Sequence, residues 1–351
     1  MNAPTRTHRP DLTLRTPEDV LAKVPYLVGF HPRESLVVLA IRPDQEVHCT
    51  LRADLPPLDS GPYADLEADL EADGVATLAA HLADVISRQH ATHALLVVYT
   101  SSPDRAAPVL RATHLALESV DVMVLDRLIA DGQFWWSDVC ADAGCCPTSG
   151  TPYDLEQHPV TARSVYAGEV ALADEDALRR SIAPVAEAST PAMQDLIANV
   201  ESEIGLGAPG DAADDTGTAG DDTRIAGERI SAARRHVATL VETGAGVSVP
   251  LTDEQVARVC VLVADDRTMV AVAQLITPET ARDHQALWTQ VLRRSVPPHD
   301  AGPATLLAFA AWSGGDGALA RCALERALAS DADSRLACFV AELLSHGMAP
   351  W

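Results

Sequence analysis

A chain of 351 residues with 47% hydrophobic and only 4% aromatic side chains is long enough for two ordinary domains, with cores built mainly from Leu, Val, Ile and Ala. Its 26 basic and 50 acidic residues leave a net charge of −24. A field of that sign repels phosphate backbones and anionic lipid, which excludes nucleic acid and membrane surfaces as general partners.

Residues 1–12 read as a disordered tail with no signal-peptide core. No run reaches the roughly 18 apolar residues of a membrane span, so a cytoplasmic protein is expected. Thr16-Pro17-Glu18-Asp19 then opens a short helix, with Thr16 as cap, and Pro25 is expected to end it. Ser35–Ile41 reads as a buried strand and Glu46–Arg52 as its antiparallel partner. Pro56, Pro57 and Pro62 mark a loop. Residues 63–90 show a helical stripe of Leu66, Leu70, Leu78, Leu82, Val85 and Ile86. His93–Thr100 is a second core strand. Ser101-Ser102-Pro103-Asp104 caps a helix to about Ser119, and Val120–Ile129 is a third core strand. Asp131-Gly132 predicts a two-residue hairpin turn returning through Gln133 to Ser137. The order α, β, β, α, β, α, β, β predicts an α/β domain over residues 13–155, with a mixed, ββαβαββ-like sheet. Parallel pairing is expected across the helical connections, with hairpin strands at the edges.

From residue 156 the pattern turns to helix, and residues 156–346 are expected to form an all-α domain. His158–Gly168, Asp174–Ile182 and Pro184–Ile204 read as helices. Residues 205–222 combine Gly and Asp with no aromatic or basic side chain, and read as a disordered acidic loop. Its aspartates, Asp211, Asp214, Asp215, Asp221 and Asp222, lack the spacing and terminal Glu of a calcium loop. Thr252-Asp253-Glu254-Gln255 has the form of a capping box, and Thr277-Pro278-Glu279 opens a further helix. Three short helices follow over 304–312, 318–329 and 336–344. Ala308, Ala311, Trp312, Gly315, Ala320, Ala323, Leu324 and Ala327 fall roughly where a tetratricopeptide helix pair places its packing residues, with an ordinary bundle as the alternative.

Chemistry concentrates at the junction, in Phe134-Trp135-Trp136 and the Cys-x4-Cys-Cys of Cys140, Cys145 and Cys146. Tetrahedral zinc needs four ligands, and His158 is the nearest histidine downstream. Zinc, a redox disulfide and thiols packed beneath Trp135 and Trp136 are the three readings. The single cysteines Cys49, Cys260, Cys322 and Cys338 read as small core residues. His31 stands at a strand entrance with Arg33, Glu34 and Ser35, either capping the turn or serving as a general base that would need Asp54 or Asp126. Arg52, Asp54, Thr100, Ser101, Ser102 and Asp126 lie toward strand ends, where ligands bind in open α/β sheets.

Three segments carry a resemblance. They are Val24-Pro25-Tyr26-Leu27-Val28-Gly29-Phe30-His31-Pro32 with Ser35-Leu36-Val37-Val38; Trp135-Trp136-Ser137 with Cys140, Cys145-Cys146-Pro147 and Gly150-Thr151-Pro152; and Ala311-Trp312 with Gly315-Asp316-Gly317-Ala318 and Ala323-Leu324-Glu325-Arg326-Ala327. Together they resemble an actinobacterial family known as domain of unknown function 4192. The resemblance implies a cytoplasmic actinobacterial protein and no particular activity. Nucleophile elbows, Walker loops and His-Glu-x-x-His are all absent from the sequence. The expectation is therefore a non-catalytic module that binds a protein partner or small molecule. The alternative is a metal- or thiol-dependent enzyme using Cys140, Cys145 and Cys146.

Overall fold

The computed structural model describes residues 14–56, 64–185, 190–204, 219–244, 246 and 248–348. The expected tail, Pro57, Pro62, the side chains of Leu66 and Leu70, and residues 205–218 of the acidic loop with Asp211, Asp214 and Asp215 lie outside the described residues. So do the side chains of Asp221 and Asp222, whose backbone starts a helix rather than continuing the loop. Acidic residues suit that position, because a helix N-terminus carries partial positive charge. The chain divides into two compact units, Met1–Ala177 and Leu178–Trp351.

The first unit begins with α1 (Pro17–Val28). Thr16 Oγ1 accepts from the Asp19 N–H and the Asp19 carboxylate accepts from the Thr16 N–H, so two orphan donors are satisfied reciprocally. The helix does not end at Pro25. A proline in the last turn removes only one helical hydrogen bond, and the chain continues to bury Val28 before Gly29, at φ 89°, closes it with a bond to the Pro25 carbonyl.

The strands β1 (Ser35–Ile41), β2 (Val47–Asp54), β3 (His93–Tyr99), β4 (Met123–Ala130), β5 (Phe134–Ser137) and β6 (Thr151–Pro152) form one sheet in the order β2-β1-β3-β4-β5-β6. Antiparallel partners flank β1 on both sides, and β3–β4 is the parallel pair. The helices α2 (Ala64–Arg88) and α3 (Ala106–Glu118) make the crossovers. Parallel pairing across a helix therefore holds for β3–α3–β4. In β2–α2–β3 the two strands are also parallel, but β1 lies between them. Buried on both faces, β1 reads as a continuous apolar run. Leu36, Val38 and Ala40 share a core with Leu96, Val98, Ile129 and the helical Leu82, Ile86, Val109, Leu110 and Leu117. Val37, Leu39 and Val97 point to the opposite face and are equally buried.

The β4–β5 turn sits one residue later than the sequence predicts. Asp131 pairs with Phe134 through its N–H at 3.1 Å, which leaves Gly132 and Gln133 as the central residues. Gly132 supplies the positive φ, 97°, at the first central position. Asp131 Oδ1 accepts from the Gln133 and Phe134 N–H groups instead of standing in the turn itself. Beyond β6, α4 (Pro159–Tyr166) packs against α1. The sequence boundary near residue 155 thus falls between two elements of the first unit. Asp174 caps α5 (Glu175–Ser181), as its position suggests, accepting from the Ala177 N–H at 2.7 Å.

The second unit contains α6 (Thr190–Ile204), α7 (Ala219–Glu242), α8 (Asp253–Leu262), α9 (Asp266–Ala273), α10 (Ala281–Leu292), α11 (Ala301–Ser313), α12 (Gly317–Ser330) and α13 (Arg335–Ser345). The capping box of Thr252 and Gln255 opens α8. All of α11 except Phe309 is buried, and it packs on α9, α10, α12 and α13. Its small residues permit close approach. A Cβ on Gly302 would come within 2.5 Å of the Val263 carbonyl oxygen. Cys260 and Cys322 are core residues and Cys49 is half-buried, but Cys338 is exposed on α13. No described helix is long and apolar enough to cross a membrane.

One ion pair stands out in this unit. Arg326 Nε lies 3.2 Å from Asp300 Oδ2, with side-chain exposures of 16% and 6%. The guanidinium also donates to the carbonyls of Ile182 and Leu292, and Ser330 Oγ donates to Asp300 Oδ1 at 2.6 Å. A buried pair whose remaining valences are satisfied is costly to break from one side. Asp300→Ala is expected to lower stability by about 3–5 kcal/mol, measured as the shift in chemical unfolding of the full chain.

Candidate functional site

Two polar clusters form where the carboxyl ends of β2, β3 and β4 meet the start of β1. Arg52 is the centre of the first. Its Nε donates to Ser35 Oγ at 3.0 Å, Nη1 pairs with Glu175 Oε2 at 2.8 Å, and Nη2 pairs with Asp54. Its Cζ lies 5.5 Å from the centroid of the Phe30 ring. Arg52 and Glu175 are largely buried, and Ser35 is fully so.

Glu34 is the centre of the second. It adopts a positive φ of 41°, and its carboxylate accepts from Thr100 Oγ1 at 2.9 Å, from the Ser101 N–H at 2.8 Å, from Ser101 Oγ at 2.9 Å and from Arg105 Nη1 at 3.2 Å. Burial alone would raise its pKa, but the donors of Ser101 and Thr100 and the Arg105 charge outweigh it, and the net shift is downward. Thr100 and Ser101 thus serve Glu34 and do not cap α3. Pro103–Arg105 forms a single 3-10 turn before α3, and Ser102 makes no side-chain cap bond.

The remaining predicted residues fall apart. His31 is exposed, and its ring makes no hydrogen bond to Asp54 or Asp126 among the described residues. Partial desolvation and the charge of Arg33 lower its pKa. Its backbone N–H donates to the Leu172 carbonyl at 2.9 Å. Asp126 accepts from Ser137 Oγ at 2.9 Å and belongs to the β4–β5 pair. His158 caps α4, accepting from the Val160 N–H at Nδ1, while Nε2 lies 3.7 Å from Asp19.

The three junction cysteines do come together. The ligand atoms of Cys140, Cys145 and Cys146 all lie within 4.8 Å of one another, and the group contains no histidine. A turn closes the loop between them. The Asp142 carbonyl accepts from the Cys145 and Cys146 N–H groups at 3.0 and 2.7 Å, and Asp142 Oδ1 accepts from the Gly144 N–H at 2.8 Å. The Asp142 backbone donor, followed by the Cys146 thiol, lowers the pKa of Cys140. Its bond to Cys140, then burial, pushes Cys146 up to about 12.

None of the three thiols is fully buried. Cys145 is exposed and the other two are partly so. Trp135 and Trp136 are adjacent on β5 and face opposite sides of the sheet, and Trp135 Nε1 donates to Glu18 of α1 at 3.0 Å. Trp136 instead fixes the end of the loop. Its Nε1 donates to the Thr148 carbonyl at 3.2 Å, and a Cβ on Gly150 would meet its ring at 2.7 Å. Sequence reasoning placed Glu34 at the strand entrance but missed Arg105 as its partner and Glu175 as the partner of Arg52. These contacts join distant parts of the chain and leave no local signature.

The Glu34 cluster makes a pH prediction. A carboxylate with a depressed folded pKa adds stability that is fully present above its unfolded value and is lost as pH falls through the folded one. The wild type is therefore expected to exceed Glu34→Gln in stability at pH 7. The difference, about 1 kcal/mol at most for a half-exposed group, shrinks once pH drops below the ordinary value of 4.5. Acid unfolding of the two proteins in parallel checks this.

No curated protein and no solved structure matches the chain. The family model for the Domain of unknown function (DUF4192) matches residues 17–351. That span includes both polar clusters and the three cysteines, and the chain belongs to this family.

Proposed function

We propose that this is a non-catalytic binding or regulatory protein of the actinobacterial cytoplasm, acting on a protein partner or a small molecule. The observation that carries the reading is the state of the groups at the strand ends. Arg52 is engaged by Ser35, Asp54 and Glu175, and Glu34 is engaged by Thr100, Ser101 and Arg105. A general base or nucleophile must keep a lone pair available to a substrate. Satisfied pairs of this kind hold strands in place. The charge of −24 supports a partner other than nucleic acid.

A second reading is a metal- or thiol-dependent enzyme, and the convergence of three partly exposed sulfurs favours it. A screen of the purified chain against ester, phosphoester, peptide and thiol–disulfide substrates separates the two. Binding without catalysis predicts no turnover that responds to His31→Ala or Cys140→Ser. A turnover falling about 100-fold in folded Cys140→Ser would establish the enzyme instead.

A further inference from the structure

We propose that the Sγ atoms of Cys140, Cys145 and Cys146 bind one zinc ion, with the fourth position taken by solvent, and that this ion is the core of the loop between β5 and β6. The inference stands apart from the question of catalysis, since a metal that orders a loop is compatible with a protein that only binds.

The loop is the first observation. No residue from Asp138 to Ser149 is buried. It has no regular structure beyond its turns and no apolar centre of its own. An ordered segment must offset the entropy of fixing its backbone, and a metal cross-link adds to the turn hydrogen bonds by which a loop without a core does so. Both ends are anchored at the sheet. Asp138 pairs with Arg127 at 3.0 Å, and Gly150 packs under Trp136. Between these anchors, the Asp142 turn and the sulfur group gather separate residues.

Geometry is the second observation. A Zn–S distance of about 2.3 Å in a tetrahedron places sulfurs about 3.8 Å apart. Sulfurs already within 4.8 Å of one another need to close by only about 1 Å. The Asp142 carbonyl holds the N–H groups of both Cys145 and Cys146, and this turn brings adjacent cysteines to the same side as Cys140. A disulfide accounts for this arrangement less well. It would use two of the three sulfurs and leave the third beside it without a partner. Soft thiolates select zinc over calcium or magnesium, which take oxygen ligands. On binding, each thiol that becomes a ligand releases its proton to solvent, so the site changes no oxidation state.

The test uses the full chain purified under reducing conditions, incubated with excess zinc and then desalted. Elemental analysis is expected to find one zinc per chain. That zinc should fall at least tenfold in Cys145→Ser and remain in Cys338→Ser, whose thiol lies on α13 outside the cluster. A second readout needs no variant. Zinc should protect Cys140, Cys145 and Cys146 of the wild type from N-ethylmaleimide, as mapped by peptide mass, and a chelator should restore labelling at those three. Zinc below about a tenth of stoichiometry, equal labelling with and without metal, or a cluster peptide lighter by two hydrogens before labelling would each overturn the proposal.

Discussion

The first unit depends on how the entrance of β1 is held. This strand is central, buried on both faces, and flanked by antiparallel partners on each side. Its apolar residues fix which faces are covered, but dispersion and burial do not choose a register along the strand. The polar residues at its start do. Ser35 receives the Arg52 guanidinium from β2, and Glu34 receives Thr100, Ser101 and Arg105 from beyond β3. Arg52 and Glu175, the largely buried charges here, are tolerated only because they are paired and hydrogen-bonded. A slip of one residue would flip every side chain of β1 to the other face and leave these groups unmatched.

The second unit solves a similar problem by different means. A helix that is apolar all round, α11, must be enclosed, and its alanines and Gly302 allow neighbours close. One buried carboxylate, Asp300, then ties the start of α11 to Arg326 and Ser330 of α12, and the guanidinium reaches the carbonyls of Ile182 and Leu292. In both units a buried arginine satisfies backbone or side-chain acceptors that the apolar core cannot.

Local signals in the sequence were the legible ones. Caps at Thr16, Asp174 and Thr252 depend on residues three positions apart, and each lies where its spacing places it. The Gly132 turn was legible to within one residue, because Asp131 could take either of two turn positions. The helix through Pro25 was misread because a proline penalty is local while the burial of Val28 is a property of the whole unit. Position of β1 between β2 and β3 was not legible, since antiparallel neighbours leave no trace in a strand buried on both faces. Among the site residues, the spacing of Cys140, Cys145 and Cys146 showed in the sequence and their convergence did not. His158 is the reverse case. Its proximity in sequence suggested a ligand, but its nitrogens serve the end of α4 and Asp19.

In the proposed reading, the charged groups at the strand ends are structural partners and not free reactants. A double-mutant cycle on Arg52 and Glu175, read by chemical unfolding, tests it most directly. The pair is largely buried and 2.8 Å apart, so Arg52→Ala and Glu175→Ala should couple by more than about 1 kcal/mol, within the range seen for residues in one network. Single variants that are each nearly neutral, with effects additive to within about 0.3 kcal/mol, would contradict it and return Arg52 to the list of groups available for chemistry.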